Sequence, residues 1–270
     1  MNLEADAIVA GLRSSRDSDR VSALMSIIAA DGVKVSDQAI EAITACLAAE
    51  SKTIRRRAAD ALAALARRDS NLVASIRPGL NSDLPRIRFG TAYALGAIDG
   101  ALDLDAASAL CEALGDSDGD VRWAAAELIV RLGHSHSRRL GDDLLELLRG
   151  GNPAARKMAL YCIRDLELRS DAVLRAASAS TRDVDPHVRL AALALLAASF
   201  ANHGEAVMQM LERLESDNDA GVRRAAAIAL GASRGQTERV SAALQNAAQQ
   251  STDESLARAA RTALGRISRG

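Results

Sequence analysis

Phe89, Tyr93, Trp123 and Tyr161 are four of the five aromatic residues in this 270-residue chain, and charges recur around them: Arg56, Lys157, Arg164 and Arg224, with Asp60 and Glu127 interspersed. Rings bury much apolar area while losing little rotamer freedom, and marginal charges orient a partner, so this composition suits recognition of another protein. It does not suit covalent chemistry. GxxxxGK[ST], GxGxxG after a strand, GxSxG, HExxH and paired CxxC are all absent, which removes the common phosphate, nucleotide, hydrolase and zinc signatures. His134 and His136 in LGHSHSRR offer two imidazoles, but they alternate in what reads as a flexible loop, with no carboxylate or Cys beside them. His187 and His203 read as surface residues. No catalytic residue, metal or cofactor is therefore expected, and the chain is read as a non-enzyme.

The segments that carry these residues are copies of one another. Arg20, Arg55, Arg88, Arg122, Arg156, Arg189 and Arg223 recur at intervals of 33 to 35 residues, with Ala257 at the same place in an eighth copy. With the arginine as position zero, position +3 is Ala in every copy except Thr91, and +7 is always Ile or Leu, from Ile27 to Leu264. Position −1 is apolar except for Asp19. Positions −1, +3 and +7 share one face of a helix, with the small residue where a neighbouring helix approaches closely. Ser51, Asp118, Asn152, Asp185, Asp219 and Asp253 stand at −4, where an N-cap accepts from free backbone N–H groups, and Asp17 and Asp83 lie one residue from that register as substitutes. Pro85, Pro153 and Pro186 fall at the first helical position, and Pro78 bends or ends the preceding helix.

Upstream of each turn lies another amphipathic stretch, such as AIEAITACLAA from Ala39, DDLLELLRG from Asp142 or AVMQMLERLE from Ala206. Each copy is thus a helical hairpin that buries its two faces only by stacking on its neighbours. The expected architecture is all-α, one right-handed α-solenoid over residues 1–270, with repeats near 1–34, 35–68, 69–101, 102–135, 136–169, 170–202, 203–236 and 237–270.

The pattern DxDxxVRxxAAxAL at this period resembles HEAT repeats, in the short variety named after phycobilisome lyases. It shows neither the Trp-Leu-Gly-Tyr pattern of tetratricopeptide arrays nor the TPLHxA of ankyrin. The resemblance implies polar ladders between the turn aspartate and the arginine, as in Asp118 with Arg122 or Asp219 with Arg223, and a structural role for the arginines. It also brings two enzymatic alternatives. A bilin lyase or tetrapyrrole carrier would hold propionates on arginine beside Tyr and Trp. A HEAT-like alkylpurine DNA glycosylase would use a basic channel with aromatic and acidic groups. Deoxyhypusine hydroxylases of this shape carry repeated His-Glu pairs for iron, and the chain has none.

Opposite the core face of each second helix lie positions +1, +5 and +8, and all four rings named above occupy this stripe. The partner site is therefore assigned to Phe89, Tyr93, Trp123, Glu127, Tyr161, Arg56, Lys157, Arg164 and Arg224 on the concave surface. Two placements fit the pattern: rings open to water, or rings packed between adjacent second helices.

With 34 basic and 35 acidic residues no global field draws the chain to nucleic acid or an anionic membrane. Cys46, Cys111 and Cys162 lie far apart in apolar helical patterns, which suits a reducing cytoplasm. MNLEADAIVAGLRSS carries acids where an export signal carries basic residues, and no apolar run reaches the roughly 20 residues of a membrane span. A cytoplasmic monomer with a protein partner is expected, with no membrane or nucleic-acid contact.

Overall fold

A computed structural model describes residues 3–30, 35–98, 100–233 and 238–268, and their regular structure is helical throughout. The chain divides into two compact units, Met1–Ala113 with Asp118–Leu132, and Leu114–Ser117 with Gly133–Gly270.

In the first unit α1 (Leu3–Leu12), α3 (Asp37–Cys46) and α5 (Leu72–Ile76) form one layer, and α2 (Asp17–Ala29), α4 (Lys52–Arg68) and α6 (Pro85–Gly96) pack side by side as the other. Pro78 stands in a 3-10 turn, Arg77–Asn81, directly after α5, where its missing N–H ends the helix. α7 (Ala107–Ala113) follows a second 3-10 turn, Leu104–Ala106. α8 (Gly119–Gly150) belongs to the first unit up to Leu132 and to the second from Gly133. The second unit continues with α9 (Pro153–Asp165), α10 (Asp171–Ser180), α11 (Pro186–Ser199), α12 (Gly204–Ser216), α13 (Ala220–Leu230), α14 (Glu238–Gln250) and α15 (Glu254–Ile267). Here α9, α11, α13 and α15 pack in series, while α10, α12 and α14 form the other layer.

Burial follows the repeat register. Every +3 residue is buried, Thr91 included, and the +7 residues from Ile27 to Leu230 are fully sealed; only Leu264, in the last copy, is half-buried. Small +3 side chains let second helices approach, and the +7 aliphatics fill the space between the layers. Asp19, the one charged −1 residue, stays at the surface, where it accepts from Ser14 Oγ at 2.8 Å and Arg16 Nε at 2.9 Å.

The helix starts are held in two steps. Asn152, Asp185, Asp219 and Asp253 cap as expected, for example Val222 N to Asp219 Oδ1 at 2.9 Å. Six residues before the arginine, a second side chain accepts from the backbone N–H at −4: Ser14 from Arg16, Ser82 from Leu84, Asp183 from Asp185, Asp217 from Asp219, and Ser251 from Asp253. This corrects the assignment of Asp17 and Asp83 as substitute caps. Arg16 and Leu84 occupy the cap positions without a side-chain bond, because Ser14 and Ser82 already hold those turns.

The repeat arginines bind this same turn. Arg55, Arg88, Arg189 and Arg223 each fold back and donate Nη1 to the carbonyl at −6, as in Arg223 to Asp217 O at 2.7 Å. The other edge of the guanidinium reaches the next copy. Arg156 grips Asp183 at 2.7 and 2.8 Å, and Arg189 grips Asp217 at 2.9 and 2.8 Å. The ladder implied by the resemblance is thus displaced by two residues: Asp219 caps α13, and the −6 aspartate takes the arginine of the preceding repeat.

At the last step the acid is missing, since Ser251 stands where Asp183 and Asp217 stand in earlier copies, and among the described residues Arg223 donates only to turn carbonyls. Ser251→Asp is expected to complete the ladder with about 0.5–1 kcal/mol, raising the melting midpoint by roughly 2 °C. The gain should vanish in an Arg223→Met background; a gain that persists there would place its source elsewhere.

Candidate functional site

In the first unit the stripe is carried by α4, α6 and the first part of α8. Gly90 lets α6 sit against Leu47, whose Cδ2 would be 2.8 Å from any Cβ there, and Gly96 does the same for α8, with Leu128 Cδ2 at 2.5 Å. The Gly96 approach sets α6 and α8 side by side and places their stripe residues on adjoining helices, while Gly90 seats α6 on the end of α3. Phe89 and Tyr93 are half-buried, their ring centroids 6.0 Å apart and tilted by 45°. Trp123 is 58% exposed, Glu127 and Arg56 are exposed, and Asp60 lies 3.5 Å from Arg57. Lys52, at the start of α4, reaches Asp118 at 3.5 Å and also pairs with Asp120, so the leading edges of α4 and α8 converge. The hydrogen bond to Asp120 and the charges of both aspartates raise the Lys52 ammonium above its ordinary value. The backbone N–H of Asp120, and then Lys52, hold Asp118 below its own.

In the second unit α9 brings Lys157, Tyr161 and Arg164 together, all half-buried. The Arg164 guanidinium lies 5.1 Å from the Tyr161 ring centroid, and its Nε donates to Asp165 at 2.8 Å. Arg224 is exposed on α13, with α11 packed between α9 and α13. Ile228, one turn beyond Arg224, is 53% exposed.

Across both units no residue described at +1 or +5 is buried, so the rings are neither sealed in the core nor uniformly free: Trp123 stands in water and the other three lie half in it. Position +8 is corrected at Ala63 and Gly96, which are buried, Gly96 against Leu128 of the neighbouring second helix. Met25 and Ile228 are exposed apolar members of the stripe that aromatic counting passed over. Their signal was the register itself.

The loop expected around His134 and His136 is also corrected. Instead of a loop, two helices within residues 119–150 meet at a kink, where His136 leaves helical dihedrals (φ −135°, ψ 31°). The His134 side chain lies outside the described residues. His187 is exposed, and His203 caps α12 by accepting from Glu205 N at 3.3 Å. Among the described residues no three His, Cys, Asp or Glu side chains gather as metal ligands, and no helix is long and apolar enough to cross a membrane. The three cysteines are buried, and burial raises the Cys46 thiol above its ordinary value, against a smaller lowering by Arg20.

A family profile of HEAT repeats matches residues 40–130 and 177–265. No curated protein sequence matches the chain. Among solved structures, Kap121p bound to Ste12p superposes with a TM-score of 0.60 at 18% identity, over 99% of this chain and 33% of that one. Kap95p, in a complex with RanGDP, gives a TM-score of 0.59 at 14% identity over 97% of this chain and 38% of that one. An engineered protein gives 0.50 at 19% identity, over 98% and 78%. The chain therefore spans about a third of the length of Kap121p, and at these identities the likeness is one of fold.

Proposed function

The chain belongs to the HEAT-repeat family, and from that premise we propose that it is a non-enzymatic scaffold that recruits a partner protein through the face of its second helices, on the concave side. One observation carries this reading: the stripe positions +1 and +5 stay out of the core in both units, and four of the five aromatic residues stand on that stripe, with Trp123 58% exposed. A chain with so few rings that leaves its only tryptophan in water has placed a costly apolar surface where a partner can cover it. Structural neighbours of this fold include Kap121p bound to Ste12p. In the first unit Phe89, Tyr93 and Trp123 act as anchors, with Arg56 and Glu127 at their margin. In the second, Tyr161 is the anchor, and Lys157, Arg164 and Arg224 orient the partner.

Trp123→Ala and Tyr161→Ala together test the reading. Because the tryptophan ring already meets water, helicity and melting temperature should stay nearly unchanged, while capture of a partner from lysate falls about tenfold or more. A protein that loses stability and keeps its capture would show that the rings serve packing.

A further inference from the structure

We infer that the second unit presents a docking track for an acidic amphipathic helix of a partner protein, a deepening of the scaffold reading that rests on it. The stripes of the two units differ in charge. At the stripe positions of α9, α11, α13 and α15 stand four cations, Lys157, Arg164, Arg224 and Arg258, and no carboxylate. The corresponding positions of α4, α6 and α8 hold Arg56 against Asp60 and Glu127. Arg164 is already engaged by Asp165, but among the described residues no carboxylate lies within ion-pair distance of Lys157, Arg224 or Arg258. This contrasts with the turn edge of the same helices, where Asp183 takes Arg156 and Asp217 takes Arg189.

Geometry narrows the occupant. Lys157, Arg224 and Arg258 all stand at +1, so they form one row across the packed helices, interrupted by Leu190 on α11. One turn along, at +5, runs a parallel row of Tyr161, Ala194, Ile228 and Thr262, of which Ile228 is 53% exposed. A ligand lying across these helices meets cations on one edge and apolar groups on the other. Packed helices repeat every 8–10 Å, and seven residues of an α-helix rise about 10.5 Å. A helix with an acidic residue at about every seventh position, beside a stripe of leucines, therefore matches both rows. From Lys157 to Arg258 there are three such intervals, about 30 Å, the length of roughly 20 helical residues. A nucleic acid would use the cations and leave the apolar row uncovered.

The test uses the full chain and fluorescein-labelled synthetic helical peptides of about 20 residues. One carries Glu at every seventh position beside a Leu stripe; the controls replace Glu by Lys, or Leu by Ser. Duplex DNA and single-stranded RNA are assayed in parallel by anisotropy. The Glu peptide is expected to bind, to weaken as salt is raised, and to lose roughly tenfold or more when Lys157→Glu, Arg224→Glu and Arg258→Glu are combined. The Lys peptide should then bind this variant better than it binds the wild type, which a misfolded variant would not do. The inference is overturned if the Glu peptide binds no better than the Lys peptide, if the triple variant binds it unchanged, or if either nucleic acid is preferred. Should the peptide fail while Trp123→Ala and Tyr161→Ala still abolish capture of the natural partner, the partner's chemistry has been misassigned and the scaffold reading stands.

Discussion

Asp217→Ala is expected to destabilise the second unit by about 3 kcal/mol, the largest single loss among the polar positions of the repeat turns. The Asp217 side chain is 1% exposed and Arg189 12%. Its carboxylate accepts Arg189 Nε and Nη2 at 2.9 and 2.8 Å and the backbone N–H of Asp219 at 2.9 Å, with Arg213 at 3.4 Å. Alanine would leave the shielded Arg189 guanidinium without its anion and one turn N–H without an acceptor, while Arg213 keeps Glu212, and unpaired shielded charge is costly. Asp217→Asn keeps the shape and the acceptor and should lose less, about 1–2 kcal/mol. The dependence on pH identifies the source. Burial pushes the Asp217 carboxyl up, but hydrogen bonds from Arg189 and Asp219, with the charges of Arg189 and Arg213, outweigh it and hold the group below its ordinary value of 3.8. A depressed native pKa gives stability that is complete above the ordinary value and is lost as pH falls through the native one. The difference in urea stability between wild type and Asp217→Asn should therefore be constant from about pH 7 to 5 and shrink below about pH 4. A gap that did not change down to pH 3 would mean that charge is not what the pair contributes.

The same turn shows where sequence reasoning ran out. The period and the −1, +3, +7 spacing placed every second helix, because burial repeats with the helix and the helix with the chain, and the sealed Ile27 to Leu230 series follows from it. The turn motif, however, carries two acids two residues apart, as in Asp183 with Asp185 and Asp217 with Asp219. Either can cap and either can meet an arginine, and only the path of the turn decides that the first meets the arginine and the second caps. Glycine was equally ambiguous. Gly133 read as part of a loop break, yet it stays in helix, and its missing side chain serves close packing, since a Cβ there would lie 2.2 Å from Leu166 Cδ2. Local propensity cannot tell a glycine that frees the backbone from one that admits a neighbour. For the candidate site, the register put Phe89, Tyr93, Trp123 and Tyr161 on the face away from the core. How deeply each ring sits depends on its neighbours: Tyr93 leans on Phe89, whereas Trp123 reaches furthest into water. That no carboxylate among the described residues pairs with Lys157, Arg224 or Arg258 depends on which partner each acid takes, as when Glu254, one turn before Arg258, pairs with Arg261 instead, so composition alone did not show it.

Gly231→Val is the second large effect expected, up to about 3 kcal/mol. Gly231 closes α13 with ordinary right-handed dihedrals, φ −67° and ψ −10°, so it is not there to reach a left-handed conformation. It is there for proximity. A Cβ at this position would lie 2.9 Å from both the Cα and the Cβ of Ala263 in α15. A flexible side-chain tip could rotate away, but a backbone carbon moves only if the whole helix moves, so α13 and α15 must separate. Gly231→Ala should already cost roughly 1–2 kcal/mol and valine more, since its branched methyls widen the gap further. In a stacked array each hairpin is held chiefly by its neighbour, so the loss should fall on α14 and α15 and leave the earlier repeats protected. Hydrogen exchange read by mass spectrometry is expected to show faster exchange in Glu238–Gln250 and Glu254–Ile267, with α9 and α11 unchanged. Because Arg258 stands on α15 at the end of the cation row, the same variant should weaken the acidic peptide as well, although it touches no charge. Wild-type protection in α15 would show that the seam tolerates a side chain, and that the glycine does not set the distance between these helices.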